Sequence, residues 1–135
     1  MCLAEAGAAV ALGAPSPAIA RHGVVSGPGL PVISKAVAWG GIVYLCGVTP
    51  DPGGDITAQT RQVLERIDRL LAVAGSDKSR LLTAQVWLSD MSLFEAHNAA
   101  WNAWVDPNNP PARVCVRAEL WQPQMLVEIM VTAAR

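Results

Sequence analysis

"DITAQTRQVLERIDRLLAVAGSDKSRLLTAQVWLS", residues 55–89, sets a helix directly before a strand, and that order decides the fold. Val63, Ile67, Leu70, Leu71 and Ala74 recur at helical spacing, opposite Arg61, Glu65, Arg66 and Asp68. Asp55 has the side chain of an N-cap, which accepts from a free amide of the first turn. Gly75 can adopt the left-handed conformation that ends a helix. Beyond it, Leu82, Ala84, Val86 and Leu88 alternate with polar or larger neighbours, the period of a half-buried strand.

On the N-terminal side, "VISKAVA" (32–38) and "IVYLCGV" (42–48) flank Gly40-Gly41 and read as a β-hairpin. Strand, long helix and strand then make a crossover unit, right-handed when its strands are parallel. On the C-terminal side, Ser92-Leu-Phe-Glu95 has the form of a capping box. A second helix is expected over about 93–104, with Phe94, Ala100, Trp101 and Trp104 as its apolar positions, and "DPNNPP" (106–111) stops it. Two strands, about 112–119 and 125–133, finish the chain. The expected order is ββαβαββ, an α+β domain with a mixed sheet and two helices packed on one face. The uncovered face needs a partner. Residues 1–30, rich in Ala, Gly and Pro without a sustained period, are read as an extension and loop, mobile in its first part, ahead of one domain over 31–135.

Composition narrows the function. The 135 residues suit one domain, and only 16% are charged while 52% are hydrophobic, so a large core or a covered surface is expected. A net charge of −1 without a basic block argues against a nucleic-acid binder that works by neutralising phosphates. Cys2, Cys46 and Cys115 are odd in number and widely spaced, which gives neither a disulfide framework nor a metal motif and favours a reducing cytoplasm. No apolar run reaches membrane-spanning length. The first twenty residues lack the basic start of a signal peptide and carry Glu5 there.

Two charges stand out near the end. Arg113 follows Pro110-Pro111-Ala112, and Glu128 interrupts the apolar run from Met125 to Val131. Either could be the outward residue of a strand. A guanidinium there also offers a planar fork for a carboxylate, and a carboxylate in an apolar strand can hold or activate water. Cys115 shares a strand face with Arg113 and is read as a small buried residue. Asn98 can be an exposed helical residue. Trp87, Trp101 and Trp104 suit the core or subunit contacts, Trp39 and Trp121 a cleft rim, and His22 and His97 the surface. No spacing suggests a metal site.

"YLCGVTP", the 59–104 segment, "PPARVCV" and "VEIMVTA" resemble the RidA/YjgF/UK114 family over about residues 32–134. The resemblance implies a chorismate-mutase-like fold and a homotrimer with clefts between subunits. It implies hydrolysis of reactive enamines and imines to 2-keto acids and ammonia without a cofactor, although some relatives lack deaminase activity and others are called ribonucleases or translation inhibitors. In those terms Arg113 falls on the carboxylate-binding Arg and Glu128 on the water-positioning Glu. The backbone carbonyl of Cys115 contacts the substrate nitrogen, Asn98 lies near the cleft, and Cys46-Gly47 lets substrate approach the backbone. Two positions depart from the pattern. Ile33 stands in the strand where deaminating members have a lid aromatic, with Tyr44 on the next strand. Met130 replaces a second acid two places after Glu128.

Overall fold

The computed structural model describes residues 17–135. The sheet has six strands: β1 (Ala20–Val25), β2 (Ile33–Trp39), β3 (Ile42–Leu45), β4 (Leu81–Leu88), β5 (Ala112–Arg117) and β6 (Val127–Ala134). Helix α1 (Ile56–Val73) follows β3, and α2 (Phe94–Trp104) follows β4. Strands lie in the order β1-β2-β3-β6-β4-β5. All pairs are antiparallel except β4 with β5. Both β3 and β4 run antiparallel to β6, which lies between them, so the crossover through α1 joins parallel strands. The α+β architecture is the expected one, with one strand more: residues 20–25, read as extension, pair along β2 from Ala20↔Ala38 to Val25↔Ile33. Residues 1–16, which hold most of the expected mobile segment, lie outside the described residues.

Helix α1 has the ends its sequence specifies. Asp55 Oδ1 accepts from the Ala58 amide at 2.8 Å. At the other end Gly75, at φ 85°, donates to the Ala72 carbonyl, and the Ser76 amide reaches back to Leu71 at 2.8 Å. Those two bonds form a Schellman motif. The capping box at Ser92 does not form. Asp90 takes the part instead, its Oδ1 accepting from the Ser92 amide at 2.8 Å above a short 3-10 turn, Met91–Leu93, that leads into α2. Asp90 lies one position ahead of that turn, so its carboxylate caps the turn and α2 begins without a side-chain cap of its own.

The core lies between the sheet and the two helices. Val43, Leu45, Ala84, Val86, Leu88, Val127, Ile129 and Val131 point from the sheet toward Val63, Leu64, Ile67, Leu71 and Trp101, all nearly sealed from solvent. The alternation in β4 was expected to include Leu82. The register instead shifts between Leu81 and Thr83, which buries Leu81 and leaves Leu82 43% exposed. Such a bulge lets one extra residue pass without reversing the rest of the strand. The opposite sheet face carries Tyr44, Thr83, Gln85, Trp87, Val114, Val116, Glu128, Met130 and Thr132, and among the described residues no helix covers it. Among the described residues no helix is long and apolar enough to cross a membrane.

Candidate functional site

Arg113 is the second residue of β5 and sits opposite Ala84, a core residue, so its side chain rises on the helix side of the sheet. There α2 receives it. Nη2 donates to Asn98 Oδ1 at 2.7 Å, Nη1 lies 3.3 Å from His97 Nε2, and the guanidinium carbon is 5.2 Å from the centre of the Trp101 ring. Cation and ring at that distance attract through the ring quadrupole. Among the described residues the one salt bridge joins Arg66 to Asp51, so no carboxylate neutralises Arg113.

His97, expected at the surface, is 0% exposed. It lies three residues before Ala100 and four before Trp101, on the face of α2 that packs inward, and that spacing was the available signal. Its Nδ1 is 3.0 Å from Thr60 Oγ1 on α1. Burial, with the positive charge of Arg113 beside it, pushes its pKa down to about 4, so the ring is neutral near pH 7. Asn98 is half-buried against Arg113, not simply exposed. Cys115, on the Arg113 face as expected, is half-buried too. Burial raises its thiol pKa more strongly than Arg113 lowers it, which disfavours a thiolate.

Glu128 belongs to the other side. It sits opposite Trp87 on the uncovered face. Arg113 and Glu128 therefore project from opposite faces of one sheet, and a single chain does not bring them together. Burial raises the Glu128 carboxyl above its ordinary range. Two elements hold it. Val48 and Ile129 exchange backbone hydrogen bonds of 2.8 and 3.0 Å, which pins the Cys46–Val48 segment beside it. A Cβ on Gly47 would overlap Glu128 Oε2. Gly47 has no positive φ, so what it supplies is room for the carboxylate. Cys46 adjoins the same group: burial raises its thiol, Lys35 opposes this, and the Glu128 charge adds to the rise.

Gln59 is a second residue that sequence reasoning missed. It is 2% exposed at the start of α1. Its Nε2 donates to the Gln124 carbonyl at 2.7 Å and to Gly53 at 3.1 Å, while its Oε1 accepts from the Leu126 amide at 2.7 Å. It thereby fixes the chain two residues before Glu128. Its signal was a polar residue one turn before Val63 on the apolar stripe.

The two departures are also placed. Ile33, 40% exposed, begins β2 on the Glu128 face, and Met130 sits two residues along β6 on that same face. Tyr44 points to that face as well, opposite Val37, four residues or about 13 Å along β2 from Ile33. Trp121 is 76% exposed and lines a 460 Å³ groove with Arg117, Glu119 and Met125, remote in composition from the Arg113 cluster. Among the described residues no group of three His, Cys, Asp or Glu side chains is arranged to hold a metal.

The family model described as Endoribonuclease L-PSP matches residues 32–135. The chain belongs to this family, the RidA/YjgF family. A RutC family protein of Haemophilus ducreyi is 44% identical over 102 residues, 75% of this chain and 87% of that protein. The 3-aminoacrylate deaminase RutC of Acinetobacter baylyi is 36% identical over 95 residues, 65% of this chain and 75% of its own length. Among solved structures, a YjgF family member from Neisseria meningitidis superposes with a TM-score of 0.82 at 39% identity, covering 90% of this chain and 98% of that one. The RidA/YjgF fold is thus the fold of this chain.

Proposed function

We propose that this RidA/YjgF member hydrolyses small enamines and imines bearing a carboxylate, of the 2-aminoacrylate type, to 2-keto acids and ammonia. The observation that carries this reading is Arg113: a half-buried guanidinium held by Asn98, His97 and Trp101 and matched by no acid among the described residues. Such a group is set to take a carboxylate through two parallel hydrogen bonds. The similarity to a 3-aminoacrylate deaminase supports the same substrate class.

The chemistry asks little more. Once the enamine has taken a proton on carbon, the imine carbon is electrophilic. Water adds to it, losing a proton to Glu128. The carbinolamine nitrogen takes a proton back from Glu128, and the C–N bond breaks; ammonia leaves as the hydroxyl oxygen gives up its proton and forms the C=O double bond of the keto acid. A carboxyl raised by burial exchanges protons closer to neutral pH than an ordinary one. No cofactor enters this scheme. Because Arg113 and Glu128 occupy opposite faces, the site is assembled between copies in a homotrimer, with the uncovered sheet face turned inward. Supplied with 2-aminoacrylate generated in situ, wild type accelerates keto acid formation and Arg113→Ala loses about tenfold or more. Equal rates for the two proteins would end this reading.

Ile33 and Met130 favour a second reading, a carboxylate-binding member without turnover. Its mark would be pyruvate binding lost in Arg113→Ala with no imine hydrolysed by wild type. Ribonuclease activity, which the family's name carries, finds little support in a net charge of −1.

A further inference from the structure

We infer that His97 is a positioning residue of the carboxylate clamp: buried between α1 and α2, it links Thr60 to Arg113 and fixes the orientation of the guanidinium. This rests on the reading of Arg113 as the clamp. A guanidinium has donors only, so the 3.3 Å contact from Arg113 Nη1 requires a lone pair on His97 Nε2. The proton then belongs to Nδ1, which donates to Thr60 Oγ1 at 3.0 Å. Thr60, 0% exposed on α1, accepts that hydrogen bond and anchors the ring; its hydroxyl can donate or accept, so Arg113, with donors only, is what fixes the tautomer. Asn98 takes a second donor on Nη2. Two of the five guanidinium N–H groups are thus spent on α2 and three stay free for a ligand.

The charged group facing His97 is Arg113, from β5. Thr60, from α1, is neutral, and Asn98 and Trp101 flank Arg113 from α2 itself. Protonating the ring would set a second positive charge against the guanidinium and remove its acceptor. The low pKa of His97, due first to burial and then to Arg113, keeps that form scarce at neutral pH. The role differs from ordinary core packing because a leucine of similar volume would fill the space and leave Arg113 Nη1 unanswered.

The test uses the full-length protein in its native assembly and pyruvate as the probe, with pyruvamide as the uncharged control, by titration calorimetry. Arg113→Ala is expected to weaken pyruvate. His97→Leu is expected to weaken it about tenfold, with pyruvamide unchanged. His97→Gln, whose side-chain oxygen reaches the place of Nε2, is expected to recover most of the loss. Combining His97→Leu with Arg113→Ala should weaken pyruvate no further than Arg113→Ala alone. Wild-type affinity in His97→Leu, or an additive double variant, overturns the role of His97 and leaves the clamp standing. No effect of Arg113→Ala removes the clamp and the role of His97 with it. Nitrogen-15 NMR of the wild-type ring gives a reading that needs no variant: a proton on Nδ1 is expected, and a proton on Nε2 overturns the inference even if His97→Leu fails to fold.

Discussion

Arg113 owes its position to neutral neighbours. A guanidinium left half-buried beside another charge would be neutralised, whereas Asn98, His97 and Trp101 orient it without cancelling it. Glu128 is treated differently, by a missing side chain: Gly47 leaves room for its carboxylate. Since the Gly47 backbone is ordinary, Gly47→Ala should fold and displace only the end of Glu128. A displacement near 1 Å costs a catalytic site about a hundredfold. Keto acid formation is expected to fall by about that factor with little change in melting temperature, and an unchanged rate would mean that Glu128 is not the water holder.

His97 makes a pH prediction at the same scale. Its folded pKa of about 4 lies below the unfolded value of 6.5, so the unfolded chain binds more protons between those limits. Stability is therefore full above pH 6.5 and declines as pH falls toward 4, by on the order of 3 kcal/mol. Glu128, raised by burial, works in the opposite sense, but equally in wild type and His97→Gln. Urea unfolding at pH 7 and pH 4.5 should show a smaller acid loss in His97→Gln. Equal losses would show that the ring is not kept neutral. None of this burial was legible from the residue type, because a histidine in a helix is more often a surface group. Only its spacing to Ala100 and Trp101 placed it inside.

Among the elements, α1 was the most legible. Its apolar stripe, Asp55 and Gly75 specify both ends, and packing agrees with each. The hairpin and the crossover were legible for similar local reasons. Strand β1 was not, because "ARHGVV" has little periodicity and a glycine at Gly23, and its pairing comes from the free edge of β2. The cap ahead of α2 and the burial of Leu82 were misread because Asp90 stands two residues before Ser92 and Leu81 directly before Leu82, and each pair competes for one place. Tertiary context decides such ties. Gln59 shows that elements are also joined by polar groups. Replacing it with Leu would leave the Leu126 amide without its partner and the Gln124 carbonyl with only the long bond from the Gly53 amide. Denaturant unfolding should register a loss of on the order of 3 kcal/mol. A loss under about 0.5 kcal/mol, the usual range for surface changes, would deny Gln59 its part in holding β6.

At the scale of the molecule, the face bearing Glu128 is the one that no helix covers among the described residues, and Val114 and Val116 are 49% and 44% exposed on it. The 16% charge content points to the same covered surface in an assembly. Sequence placed Arg113 and Glu128 in one cleft through resemblance. Structure adds that they face opposite ways in each chain, which alternation in β4, β5 and β6 makes unavoidable once the register is known. A shared site must then draw them from two copies.

Co-expression of Arg113→Ala with Glu128→Ala tests that claim most directly. Each variant alone lacks one half of every site. In mixed assemblies, a site formed by Arg113 of one copy and Glu128 of the other is complete. Random mixing predicts that the co-expressed protein regains about a quarter of the wild-type rate of keto acid formation from 2-aminoacrylate. Recovery of that order, absent when the separately purified variants are combined without exchange, is the expected result. A mixed assembly no more active than either variant alone would contradict a site shared between copies.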